Sequence, residues 1–557
     1  MQIHDDAPLK DVLDGYVRDT FTANPIAATK LGVHEHDAEL GNVSADAFQA
    51  SEQRHRDFVR DLERFDPDQL SGLERLDWQT GIIEGRSAVR KDLQEVWRRA
   101  PYLYSESLGD ALSVLMTRDH APVEERAAAL CRRLDGIPAY LASARTNLTE
   151  QTPALWAETG LTSTTGLERF LTNSVPAFGA QVDGALGSEI AEKSRKAAAG
   201  VAEYRSFVEE LAGRAAGNWA SGSEHFDFML QSYHLLDLDH RTLEELGRDT
   251  VAADSKALAE FAASLDPELS WQEQVSRIKD NHPQPAEFKD SYFHELQRAR
   301  KHTQDAALAT LPEGEICTME WVPEFMRASL PIAVMSTTPP FERGLASEWL
   351  ITPSDPAAPA AQRLEQMRDN CYVFAESIAG HEIYPGHHLQ KVHHKLATKD
   401  SAIRRYFSCP QFVEGWGLYV EDLFEETGFF DNPAVILFKL RNSLWRALRV
   451  VIDVGLHTGS LTFEQAVDLL RTEAAMDRHM AEGEVRRYTR HDNPTYPSSY
   501  LLGRLAIHDL RTAYQERRGD TFTLLDFHDT LLGFGSLPLK LVAEQMLPAG
   551  VGGNLSA

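Results

Sequence analysis

Gly380-His381-Glu382-Ile383-Tyr384-Pro385-Gly386-His387-His388-Leu389-Gln390 holds a His-Glu pair, a helix-breaking dipeptide and two further histidines. Downstream, Phe412-Val413-Glu414-Gly415-Trp416-Gly417 adds a carboxylate among apolar neighbours. Two imidazoles, one carboxylate ligand and one carboxylate base are the donor set of a hydrolytic zinc site. In the usual His-Glu-x-x-His helix, positions i and i+4 share a face, so both imidazoles reach one ion and the Glu addresses its water. Here Pro385 occupies the i+4 place, and the available histidines fall at i+6 (His387) and i+7 (His388).

On an unbroken helix, His387 points about 120° away from His381, and His388 lies about 10 Å further along the axis. Neither reaches a shared ion. Pro385-Gly386 supplies a remedy, since Pro cannot donate to the carbonyl four residues back and Gly tolerates unusual backbone angles. A bend there brings His387 round; without it, His381 and His387 are ordinary polar residues of a kinked helix. Glu414 sits among Phe412, Val413, Trp416, Leu418 and Tyr419. A carboxylate in such surroundings is costly unless it is paired with an Arg or bound to a metal.

The rest of the chain sets the frame. Its 557 residues, 43% hydrophobic and 25% charged, suffice for a core that needs no disulfides. Cys131, Cys317, Cys371 and Cys409 are far apart, which suits a reducing compartment. The start, Met1-Gln2-Ile3-His4-Asp5-Asp6, has neither a basic nor an apolar signal region. No membrane-length apolar run follows, so a cytoplasmic location is expected by default. A formal charge of −28 excludes nucleic acid and anionic membranes as principal partners.

Helical periodicity predicts helices at Leu9 to Thr22, Ser44 to Asp66, Pro122 to Leu148 with a kink at Pro138, Ser188 to Arg214 and Leu243 to Ala263. After the midpoint it predicts Ala361 to Gly380, Pro410 to Glu426, Pro433 to His457, Thr462 to His479 and Tyr500 to Arg517. A β-hairpin is expected from Ile332-Ala333-Val334-Met335 and Glu348-Trp349-Leu350-Ile351. The tail from Leu547 to Ala557 is expected to fray. No segment reads as a domain linker, so the chain is taken as one region, 1–557, divisible at most into lobes 1–280 and 281–557.

His381-Glu382-x-x-Pro385-Gly386-His387-His388-x-Gln390, the Glu414-Gly415-Trp416 helix and Arg487-Tyr488 followed by Ser499-Tyr500-x-x-Gly503 resemble the bacterial family of unknown function numbered 885. The resemblance covers nearly the whole chain, beginning with Asn24-Pro25, Ala28-Thr29 and Gly32. That family is grouped with gluzincin metallopeptidases and is distantly similar to thimet oligopeptidase and carboxypeptidase Taq. The resemblance implies a mainly α helical clamshell with a small β element at its cleft edge, and one Zn2+ per chain. It implies His381, His387 and Glu414 as ligands, Glu382 as base, and a downstream Tyr as oxyanion donor. Tyr500 fits that last role first and Tyr496 second, and the inserted residues leave His388 an alternate to His387.

Arg446, Arg449, Asp453 and His457 recur at spacings of three and four on an otherwise apolar helix, forming one polar stripe. It is either an internal ladder or a cleft wall. On the second reading Arg446 and Arg449, with Tyr496, bind substrate, and His457 assists Tyr500 at the oxyanion. His393 and His394 are expected to be solvated. The expected activity is amide hydrolysis of short peptides, aided by strand addition of the peptide to residues 346–352. A non-peptide amide substrate and a catalytically inactive binding scaffold are the alternatives.

Overall fold

A computed structural model describes residues 7–322, 327 and 334–547 of the chain. It is 71% helix and 3% strand, so the mainly α expectation holds. Among the described residues, no helix is long and apolar enough to cross a membrane. The expected fraying of the tail falls, beyond Leu547, outside the described residues.

Most predicted helices are present with small shifts of boundary. Leu9–Ala23 stops at Asn24, whose side chain accepts from the Ala27 amide at 3.2 Å and so caps Pro25–Leu31. Val123–Asn147 runs unbroken through Pro138. The predicted Ala361 to Gly380 helix is instead two, Ala360–Asp369 and Tyr372–Glu382. The cause is Asn370, whose Nδ2 donates to the Gln366 carbonyl at 2.7 Å and satisfies a last-turn acceptor. The predicted Thr462 to His479 helix likewise ends at Glu473, and Arg478–Tyr488 begins afresh.

The expected hairpin is present in its described part, and a third strand joins it. Strands β1 (Glu315–Trp321), β2 (Val334–Ser336) and β3 (Leu345–Ile351) lie in the order β1-β3-β2. β2 pairs antiparallel with β3, Met335 facing Trp349, while β1 pairs parallel with β3 from Glu315–Leu345 to Trp321–Ile351. Ile332 and Ala333 lie outside the described residues. The 346–352 strand is therefore central rather than an edge, and its β1 side is closed to an added peptide strand.

The largest apolar cluster draws residues from both sides of position 280, including Leu76, Met229, Leu258, Trp416 and Phe424. At its middle lies Pro410–Glu426, hereafter the carboxylate helix, with Phe412, Trp416, Tyr419, Val420, Leu423 and Phe424 wholly buried. Burial of each such side chain contributes about 1.5–3 kcal/mol. Tyr496–Arg518, the tyrosine helix, crosses it at Gly415 and Gly503. A Cβ on Gly503 would stand 1.9 Å from the Gln411 carbonyl oxygen, so the two backbones touch. Pro433–Thr458, the arginine helix, fixes the start of the tyrosine helix. Asp453 accepts from the amides of Thr495 (3.4 Å) and Ser498 (3.3 Å) and from the Ser498 hydroxyl (2.6 Å).

Two consequences are measurable. Gly503→Ala should lower the urea midpoint by the equivalent of about 1–3 kcal/mol or more, because backbone rather than side chain must give way. Gly109→Ala, inside Pro101–Thr117 with open space around it, should instead be neutral or gain about 0.5–1 kcal/mol. Burial pushes the Asp453 carboxyl up to about 8 despite its hydrogen bonds. The folded chain then holds a proton that the unfolded chain releases above pH about 4, so stability present below that pH is lost as pH rises through about 8. Asp453→Asn should flatten that slope, read as urea midpoints on either side of the window.

Candidate metal centre

Tyr372–Glu382, the motif helix, ends on Glu382, and His387–Ala397, the second motif helix, starts on His387. Between them the Tyr384–Pro385 peptide is cis. Gly386 caps the second helix at φ −65° and ψ −141°. A Cβ there would lie 1.9 Å from the His381 carbonyl oxygen and 2.2 Å from that of Gly380. No residue with a side chain fits this return of the backbone onto the helix it has left. Trp416 pins the bend from below, its Nε1 donating to the Pro385 carbonyl at 2.8 Å.

The break turns His387 towards His381, and the two rings meet edge to face with centroids 4.8 Å apart. His381, Glu382 and His387 each offer one donor atom within 4.8 Å of the others. His388 points the opposite way. Its Nδ1 is 2.8 Å from the Ser347 hydroxyl on β3 and its Nε2 3.0 Å from Glu315 Oε2 on β1. Both of its nitrogens are thus engaged with the sheet, and His387 is the histidine that the bend delivers.

Glu414 completes the group from the carboxylate helix. Its Oε2 is 3.5 Å from His387 Nε2, and its Oε1 accepts from the Tyr496 hydroxyl at 2.7 Å. Burial alone would raise the Glu414 carboxyl, but His387, His381 and Tyr496 hold it well below the usual carboxylate range. Burial likewise opposes charge on His387, and the Glu414 and Glu382 carboxylates outweigh it, raising its pKa.

Glu421 was not singled out by sequence reasoning. It lies seven residues after Glu414, two turns along the same face, and that spacing was the available signal. Its Oε1 is 2.8 Å from His381 Nδ1, which leaves Nε2 as the donor atom of that ring. Arg446 stands 3.6 Å behind Glu421. A carboxylate in this position fixes the tautomer and aim of the His381 ring, as carboxylates behind metal-binding imidazoles do. Arg446 thus supports His381 through Glu421. Gly417 makes room for the ring, since a Cβ there would lie 2.6–2.9 Å from His381 Cε1, Nε2 and Nδ1.

The other stripe residues serve the frame. Arg449 is buried, donates from Nε to the Tyr488 hydroxyl at 2.8 Å, approaches Glu484 at 3.4 Å and lies 4.7 Å from the Tyr500 ring centroid. Its polar edge is spent inside the protein. His457 contacts the Tyr488 carbonyl through Nε2 (3.0 Å) and accepts from the Ser221 amide through Nδ1 (3.4 Å). Burial lowers it to about 4. With both nitrogens occupied, His457 is not brought to the centre. Tyr500 is, with its hydroxyl 3.3 Å from that of Tyr496. Tyr496, expected second, is the one that touches Glu414. His394 is buried rather than solvated, with Nδ1 accepting from the Ser536 amide at 3.0 Å. His393 approaches the Thr310 carbonyl at 2.8 Å.

The residues fit a zinc ion by their chemistry. Two imidazoles and a choice of two carboxylates are oxygen and nitrogen donors of the kind zinc takes. His387 Nδ1 is buried with no hydrogen-bond partner, an unmet demand beside the cluster. Gly417→Ala should displace the His381 ring and weaken zinc binding about 10–100-fold while the helical circular dichroism is retained. Equilibrium dialysis against zinc measures the first, and the spectrum the second.

The model of the family described as "Bacterial protein of unknown function (DUF885)" matches residues 25–546. A "putative lipoprotein of unknown function" from Shewanella oneidensis is 20% identical, with a TM-score of 0.79 over 97% of this chain and 100% of that one. A "putative lipoprotein" from Colwellia psychrerythraea is 17% identical, with a TM-score of 0.82 over 97% and 98%. At these identities the likeness is one of fold. A "putative oligoendopeptidase F" from Bacillus anthracis covers 90% of this chain and 95% of its own at 12% identity, but its TM-score of 0.26 carries no argument. No curated protein matches the chain. A match over residues 25–546 means that the chain belongs to this bacterial family of unknown function, DUF885.

Proposed function

We propose that the protein is a zinc-dependent hydrolase of amide bonds, acting on short peptides. The observation that carries the proposal is the convergence of His381, Glu382 and His387 across a broken helix, with the far side of His381 held by Glu421. In it, His381, His387 and Glu414 hold the ion. Bound zinc supplies Lewis-acid polarisation and lowers the pKa of a water ligand.

The chain's own residues do the rest. Glu382, beside the first ligand and inside the same cluster, takes the proton of the attacking water and returns it to the departing amine. Tyr500 donates its hydroxyl to the carbonyl oxygen as negative charge develops there. Tyr496 holds Glu414 in place through its 2.7 Å hydrogen bond. Arg449 and His457 take no part in substrate contact, because the atoms they would use are engaged within the protein, and Arg446 serves as the ion-pair partner of Glu421.

A helical enclosure of the cluster, the clamshell implied by the family resemblance, favours short peptides over folded proteins. The four buried free cysteines suit the cytoplasm. The naming of two structural neighbours as lipoproteins makes the cell envelope the alternative.

Glu382→Gln tests the mechanism. The variant should keep about one zinc per chain and lose about 10²–10⁴-fold in hydrolysis of short peptides. Unchanged hydrolysis would remove Glu382 as base, and a wild-type chain that binds no zinc would end the proposal.

A further inference from the structure

We infer that the chain holds a second site for a divalent transition ion, built by His34, Asp37 and His120 with Glu342 beside them, away from the candidate centre. Three segments distant in sequence bring these side chains together. His34 and Asp37 lie in and just after the 3-10 turn His34–His36, His120 in the loop between Pro101–Thr117 and Val123–Asn147, and Glu342 in the loop between β2 and β3. His34, Asp37 and His120 each offer one donor atom within 4.8 Å of the others.

Asp37 stands between the imidazoles. His34 Nδ1 is 3.2 Å from Oδ1 and 3.1 Å from Oδ2, and His120 Nε2 is 2.9 Å from Oδ2. The two rings stack in parallel with centroids 3.8 Å apart. Glu342 Oε2 approaches His34 Nε2 to 3.8 Å, beyond hydrogen-bond range. His34 Nε2, His120 Nδ1 and Glu342 Oε2 are all buried without a hydrogen-bond partner. The His120 side chain is only 2% exposed. Three such atoms in one small cluster are costly if nothing is bound.

The surroundings are built to hold the cluster still. The Thr29 hydroxyl donates to Asp37 Oδ1 at 2.8 Å and itself accepts from buried Arg133 at 2.7 Å. The Phe341 amide donates to the Leu31 carbonyl at 2.9 Å, tying the sheet loop to the helix Pro25–Leu31. Gly32, at φ +91°, lets Glu342 come close, because a Cβ there would lie 2.4 Å from the Glu342 nitrogen. Arg118, which donates to the Lys30 carbonyl at 2.6 Å, and Lys395 face Glu342, and Arg133 faces Asp37, so cations surround the cluster without bonding to its unpartnered atoms.

Two imidazoles and one carboxylate, with a second carboxylate in reach, suit zinc and its first-row neighbours rather than calcium or magnesium. An ion there cross-links the N-terminal turn, an interhelical loop and the sheet.

The test uses zinc itself and the full chain carrying His381→Gln and His387→Gln, so that the candidate centre cannot contribute. Dialysed to equilibrium, this protein should retain about one zinc per chain, and adding either His34→Gln or His120→Gln should remove it. Wild-type protein should carry about two, unless the candidate centre fails to bind, in which case the remaining one should vanish with His120→Gln. Absence of zinc from the double variant, or zinc that survives both His34→Gln and His120→Gln, overturns the inference. If those variants do not fold by circular dichroism, X-ray absorption of zinc on the double variant decides. A shell containing two imidazoles supports the site, and an all-oxygen shell refutes it.

Discussion

The candidate centre depends on one steric contact, the passage of Gly386 against the carbonyls of Gly380 and His381. Helical geometry keeps residues six apart on different faces, and no choice of rotamer corrects that. Only a change of backbone direction does, and the absence of a side chain at residue 386 permits it. The bend is then held by Trp416 from the carboxylate helix, whose own placement rests on the contact between Gly415 and Gly503. Three glycines and one indole thus determine whether two imidazoles meet.

The charges around the centre follow from burial. Glu414 and Glu421 are mostly buried among the apolar side chains of the carboxylate helix, and isolated carboxylates there would take up protons. Each is kept ionised by what it faces: His387, His381 and Tyr496 for Glu414, and Arg446 with His381 for Glu421. Carboxylates that stay charged in a buried setting are the natural counterpart of a cation.

Much of this was legible in the sequence where periodicity or residue chemistry is local. The carboxylate helix has the bounds its pattern predicts, Pro410–Glu426, and Pro385-Gly386 announced the break. The choice between His387 and His388 was not legible, since it depends on Ser347 and Glu315 accepting His388 from across the sheet. Strand β1 was missed for the same reason: its partner is β3, thirty residues on, and a parallel pairing has no turn signal. The stripe of Arg446, Arg449, Asp453 and His457 was seen as a stripe, but one-dimensional spacing could not tell a cleft wall from an internal brace.

His388 has a further meaning for how the centre is positioned. It sits next to His387 in the chain yet is moored to β1 and β3, so one peptide unit separates the sheet from the centre. The places of β1 and β3 therefore help to set the place of the ring beside Glu414. The three-stranded sheet, small as it is, acts as the rudder of the second motif helix.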